Sequence, residues 1–293
     1  MRFSLSTNWC NRRIESGEEI ADKAAELGFD GLELGFHTTF QQVEGFMSRL
    51  DRMPVLSVHA FCPVPISAPQ GYPELYQLAS FDEEMRKMAQ LMIRRNIAFA
   101  AEMGATALVL HAGRVARESV LSMLLPDRFA KRIREKNRVV RGRKMVDVLK
   151  KELDLLIPEL QKHRVKLGLE NMPYPEGFPD LSEIGSVAGD WVRPWFDTGH
   201  WYAMEKLGGC EVGKSESSGA SISQPFDSST FRPLGFHLND SNGGDDHLAP
   251  GDGKIDFSAM KTVMEKAEHL VLEPNASVSE DRLKSALERL RSI

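Results

Sequence analysis

Short apolar runs rich in β-branched residues alternate with longer amphipathic stretches from one end of this chain to the other. No other feature restricts the fold as much, because runs separated by helical patterns signal βα units and a parallel sheet. The runs fall at 3–8, 31–35, 55–61, 107–113, 166–171, 193–198, 234–239 and 269–274. Eight is the number of strands a closed barrel requires. The predicted fold is therefore α/β, a single (β/α)8 TIM barrel over 1–293, a length such a domain often reaches.

The intervening stretches carry helix signals. The pattern over 80–103 opens Ser80-Phe-Asp-Glu83, a capping box. Val146, Leu149, Leu153, Leu156 and Leu160 form one apolar stripe, and a last helix is expected near 279–292. Gly28 and Gly104 stand where helix C-caps should precede the second and fourth strands. The Ser/Gly-rich stretch 208–230 has little periodicity and reads as a flexible loop or insertion, either a lid over the barrel mouth or a plain surface loop.

What ends each strand points to function. Strand three ends in His59, four in His111, five in Glu170 and six in Asp197-Thr-Gly-His200. Strand seven ends with His237 and strand eight in Glu273, with Asp245-Asp246-His247 just beyond strand seven. Barrel active sites are built at the C-terminal ends of the strands, which converge on one axis. Carboxylates and imidazoles packed there would repel one another or suffer large pKa shifts unless a cation compensates them. Imidazole and carboxylate are ordinary zinc or manganese ligands, so the pattern points to divalent metal. Taken singly, each residue reads as a hydrogen-bonded core group or a helix cap. Five of the chain's 8 histidines at these positions favour the metal; His37, His163 and His269 read as structural or exposed.

Composition narrows the class further. Apolar residues make up 42% of the chain, enough for a large core, and a net charge of −5 argues against binding nucleic acid by bulk charge. Cys10, Cys62 and Cys210 are widely spaced and odd in number, which supports neither a disulfide framework nor a cysteine metal site. No apolar run approaches a membrane span and no leader-like segment opens the chain, so a soluble cytoplasmic protein without a membrane partner is expected. One local exception is the basic tract 128–144, with Lys131, Arg132, Arg134, Lys136, Arg138, Arg141 and Arg143. It reads either as a phosphate-contacting surface or as a solvated helix face.

The order His59, His111, Glu170, Asp197-x-x-His200, His237, Asp245-x-His247, Glu273 resembles the xylose isomerase-like barrel superfamily. That group includes sugar isomerases and epimerases, inosose-processing enzymes and the AP endonuclease family 2 (endonuclease IV-like) enzymes. The resemblance covers essentially the whole chain and rests on Leu169-Glu170-Asn171, Phe196-Asp197-Thr198-Gly199-His200 and His237-Leu238-Asn239-Asp240. In its sugar branch it implies one Mn2+ or Zn2+ held by Glu170, Asp197, His237 and Glu273. Glu170 and Glu273 would then be the acid/base pair of an isomerase or epimerase working through a metal-stabilised enediolate. His200, His111, Trp9 and Trp201 would contact the carbohydrate or sugar phosphate.

In the endonuclease branch the resemblance implies up to three Zn2+, with His59, His111, His200, Asp245 and His247 as additional ligands, and abasic DNA as substrate. Asn171-Met-Pro-Tyr-Pro and Asp246-His-Leu-Ala-Pro-Gly-Asp-Gly resemble the sugar branch, whereas His237-Leu-Asn-Asp-Ser241 echoes the endonuclease. The sugar branch is the favoured reading. This barrel type often pairs, so a homodimer is among the expected states.

Overall fold

The computed structural model describes residues 1–115, 127–173, 177–206 and 230–293, with side chains left out at 127–137 and 204–206. Eight parallel strands close into a barrel. They are β1 (Ser4–Ser6), β2 (Gly31–Leu34), β3 (Val55–His59), β4 (Ala107–Leu110), β5 (Lys166–Glu170), β6 (Val192–Asp197), β7 (Gly235–Leu238) and β8 (His269–Leu272). Each pairs with its neighbours in sequence, and β8 pairs with β1 to complete the ring. Seven lie inside the runs expected from sequence, with trimmed ends, and β6 begins one residue before its run, at Val192.

Helices clothe the barrel: α1 (Gly17–Glu26), α2 (Phe40–Met47), α3 (Glu83–Glu102), α4 (Asp127–Asp154), α5 (Ile157–His163), α6 (Leu181–Val187), α7 (Thr198–Lys206), the single turn α8 (Lys261–Met264) and α9 (Glu280–Ser292). Gly28 and Gly104 take φ of 90° and 78° after α1 and α3, the left-handed conformation a C-cap uses. Two local expectations shift. The N-cap of α3 is Asp82, which accepts from Glu84 N, while Ser80 accepts from Asp82 N one turn earlier. The leucine stripe is shared by two helices, because Pro158 starts α5 after a break at Leu155–Leu156. Leu149, Leu153, Leu156 and Leu160 stay buried across the break.

Two apolar layers result. The larger lies between strands and helices; the smaller fills the barrel itself and consists of Ala107, Val109, Trp195, Leu234 and Val271. The Trp195 indole is completely buried there. It fits because its neighbours on β5 and β7 are glycines: a Cβ on Gly168 would lie 2.7 Å from the indole and one on Gly235 2.5 Å. This ring is the floor on which the strand-end side chains rest, with His237 at 5.3 Å on the mouth side and His269 at 5.7 Å on the other.

The stretch 208–230 lies almost entirely outside the described residues, and in the first part of the basic tract the helical backbone of α4 is described without its side chains. The chain resumes at Thr230 and enters β7 from the N-terminal end of the barrel, where Arg193 binds the carbonyls of Arg232 and Pro233. Arg138, inside the tract, is buried and grips both carboxylate oxygens of Glu183 at 2.7 and 2.6 Å. It is therefore a strut between α4 and α6 and not a phosphate contact. Among the described residues, no helix is long and apolar enough to cross a membrane.

Candidate metal centre

Parallel strands deliver their last inward side chains to one rim, and here those side chains are His59, Glu170, Asp197 and His237, with His111 and Glu273 one residue beyond β4 and β8. Glu170 is the hub. Its Oε2 lies 3.3 Å from His59 Nε2, 3.2 Å from His111 Nε2 and 3.2 Å from His237 Nδ1, while Oε1 is 3.3 Å from His200 Nδ1. Glu273 Oε2 stands 3.0 Å from His237 Nδ1 and 3.7 Å from His247 Nε2. Ligand atoms of Glu170, Asp197, His237 and Glu273 all lie within 4.8 Å of one another, as do those of His59, Glu170 and His237, and those of Asp197, His200 and His247.

Each group is held from outside. Asp197 accepts from Asn239 Nδ2 at 2.7 Å and from the His200 amide at 2.7 Å, and Glu273 Oε1 accepts from Asn8 Nδ2 at 2.9 Å. His59 Nδ1 lies 2.9 Å from the Ala60 carbonyl, His200 Nδ1 3.1 Å from that of Asn171, and His247 Nδ1 3.1 Å from the Asp246 carboxylate. His237 Nε2 is 2.9 Å from Glu33. His59, His237 and His247, anchored at one nitrogen, present the other to the cluster, the arrangement that orients metal-binding histidines, whereas His200 Nδ1 itself lies between the Asn171 carbonyl and Glu170 Oε1.

The electrostatics say what the cluster lacks. Burial alone would raise the Glu170 carboxyl, but the imidazoles of His237 and His111 outweigh it and hold it well below its usual range. Glu273 is lowered likewise against its burial, chiefly by His237 and His247. Asp197 moves the other way, raised by burial that His200 and His247 only partly offset. Burial opposes charge on the imidazoles too, yet the carboxylates prevail, taking His111 up to about 9 and His237 and His247 well above their ordinary value. The carboxylates thus demand positive charge, which protons or a divalent cation can supply. His237 Nδ1 decides the fit: it is buried, has no hydrogen-bond partner, and faces carboxylate oxygens. A cation between them fits this donor set.

Above the cluster opens a cavity of about 350 Å3 lined by His59, His111, Glu170, His200, His247, Glu273, and by Asn8, Arg12, Phe36, His37 and Asn275 toward the rim. Asp197 and His237 do not line it and are completely buried.

Three expected site residues lie elsewhere. The Asp240–Leu248 bridge closes a seven-residue loop on which Asp245 is exposed, bonded to Asn242 and in none of the clusters that could hold an ion. Asp246 is the residue that reaches His247. Trp9 is in the core with its Nε1–H donated to the Val278 carbonyl, and Trp201 packs under Phe196. Neither lines the cavity. His37, expected to be structural or exposed, lines it.

Sequence reasoning missed Glu33 and Glu74. Glu74 is buried in the loop after β3, 2.9 Å from Arg114 and 3.9 Å from His111 Nδ1. For Glu33 a signal existed: a carboxylate flanked by leucines in a strand buried on both faces has to point into the barrel.

Residues 21–293 match the family model described as xylose isomerase-like TIM barrel. No protein of curated function matches the sequence. Among solved structures, the chain superposes on a D-tagatose 3-epimerase-like protein with 22% identity and a TM-score of 0.64, covering 100% of this chain and 99% of that one. It also superposes on the 3-keto-D-glucoside 4-epimerase of E. coli (15% identity, TM-score 0.66, all of both chains). A third is the IOLI protein with a zinc atom (13% identity, TM-score 0.62, 99% and 96% of the chains). At these identities the likeness is one of fold.

Proposed function

This chain belongs to the xylose isomerase-like TIM barrel family, and on that footing we propose that it is a divalent-metal-dependent isomerase or epimerase of a small carbohydrate. The observation that carries the reading is the division of labour among four residues. Asp197 and His237 are sealed beneath the cavity, whereas Glu170 and Glu273 both line it, their carboxylates converging on the same His237 nitrogen. A pair of carboxylates open to one small cavity is what moving a proton off and onto a carbon requires.

Glu170, Asp197, His237 and Glu273 would hold Mn2+ or Zn2+, which when bound supplies positive charge that acidifies a C–H beside a carbonyl. The protein does the rest. Glu170 and Glu273, both held ionised by their neighbours, are bases able to take that proton; the one that takes it becomes a carboxylic acid and returns it to the neighbouring carbon, or the other, once protonated from solvent, delivers a proton to the opposite face. His111 and His200 line the wall, where ring N–H groups can hold substrate hydroxyls. Phe36 gives the rim an apolar face.

The zinc phosphodiesterase reading receives less support, since Asp245 is in none of the clusters that could hold an ion and Arg138 is spent on Glu183.

The test is solvent exchange. Metal-stripped protein reloaded with Mn2+ or Zn2+ is incubated in D2O with a panel of ketopentoses and ketohexoses. Deuterium at the carbon next to the carbonyl, with formation of the epimer or aldose, is expected. No exchange with any member, together with cleavage of an abasic oligonucleotide, would overturn the proposal in favour of the phosphodiesterase.

A further inference from the structure

The proposed chemistry leaves Glu33 without a role, although it is completely buried inside the barrel. It is the third residue of β2, in register with Ser6 of β1 and Ser57 of β3. Its Oε2 accepts from Ser57 Oγ at 2.8 Å, and its Oε1 reaches His237 Nε2 at 2.9 Å, across the interior from β2 to β7.

A carboxylate has no proton to give, so the imidazole must donate and the His237 proton belongs on Nε2. In the neutral ring this leaves Nδ1 with the lone pair. Nδ1 has no hydrogen-bond partner and stands 3.2 Å from Glu170 and 3.0 Å from Glu273. His59 is anchored in the opposite sense, with Nδ1 on the Ala60 carbonyl and Nε2 toward Glu170. In these two rings the nitrogen that faces the cluster is the one left over by the group standing behind the other.

We propose that Glu33, held by Ser57, is a positioning residue that fixes the Nε2–H tautomer and ring orientation of His237 and so presents Nδ1 as a neutral donor to a divalent cation. The inference rests on the reading that Glu170, Asp197, His237 and Glu273 hold that cation. A carboxylate behind a ligating imidazole also makes it a better donor. With Leu at this position the ring loses its acceptor and is free to turn or to carry its proton on Nδ1.

Two measurements independent of turnover test this on the full chain. Zinc affinity is taken by competition with a chromophoric chelator. Tautomers are read from long-range 1H–15N spectra of zinc-loaded, 15N-histidine-labelled protein, with His237 assigned by its loss in His237→Asn. The wild-type ring is expected to carry its proton on Nε2. Glu33→Leu should bind zinc about 10- to 100-fold more weakly. Glu33→Gln, whose amide oxygen still accepts while its NH2 turns to Ser57, should lose less and keep the Nε2–H pattern. A wild-type ring protonated on Nδ1, or zinc binding by Glu33→Leu within about twofold of wild type, overturns the inference. If Glu33→Leu does not fold, the wild-type spectrum and Glu33→Gln carry the same test. Zinc binding indifferent to Glu170→Gln and Glu273→Gln would instead refute the four-residue centre, so the two failures are distinct.

Discussion

The two ends of the barrel handle charge in opposite ways. At the N-terminal end, Lys166 and Arg193 both meet Glu268, at 2.7 and 2.5 Å, on partly exposed side chains. Here opposite charges pair directly, and among the described residues a wide hollow of about 860 Å3 beside them holds no carboxylate–imidazole cluster. At the C-terminal end, carboxylates and imidazoles are buried together, His237 Nδ1 is left without a partner, and pKa values are pulled far from their ordinary range. Between them sits the Trp195 indole. One end is arranged for stability and the other stores electrostatic demand, which is where chemistry becomes available.

That contrast breaks most sharply if the demanding end proves dispensable. Glu170→Gln keeps the shape of the hub and removes its charge; turnover in the D2O exchange assay should fall about 10^2- to 10^4-fold. Retained turnover would make Glu170 structural.

The indole floor comes next. Gly235→Ala drives a methyl to 2.5 Å from the Trp195 ring and should cost about 3 kcal/mol in denaturant unfolding. A loss below about 0.5 kcal/mol would mean that the floor yields and the ends are not rigidly separated.

The ends should also respond to pH with opposite sign. Burial lowers His269, beneath the floor, to about 4, so its contribution is complete above about 6.5 and drains as pH falls through 4. His111 is burdened by burial but raised by Glu170 and Glu74 to about 9, so its contribution is complete below about 6.5 and drains as pH rises through 9. In metal-free protein, His269→Asn should flatten the acid limb of the melting temperature against pH, and His111→Asn the alkaline limb. Both variants acting on one limb would contradict the opposition.

The smallest effect belongs to the N-terminal end. Lys166→Ala removes a partly exposed ion pair and should change stability by less than about 1 kcal/mol and leave turnover unchanged.

Alternation of apolar runs was enough to place all eight strands, because a strand buried on both faces must be apolar wherever it sits. The strand-end pattern was enough to bring His59, His111, Glu170, Asp197, His200, His237, His247 and Glu273 to one rim, since parallel strands in a ring end on the same side. What stands behind those residues was hidden. Glu33, Glu74 and Asp246 are far from their histidines in sequence or adjacent to a better-looking candidate, Asp245. Trp9 and Trp201 follow strands but turn into the core, because side-chain direction after a strand depends on the turn and not on the spacing.

The sequence by itself therefore determined the barrel and the imidazoles and carboxylates gathered at its rim, both of which follow from a local period and from where each period ends. Only the tertiary structure decided which nitrogen of His237 meets the carboxylates, which two of the four proposed ligands reach the cavity, and which aspartate turns inward. Those are relations between side chains brought together by closure of the ring, and no interval along the chain encodes them.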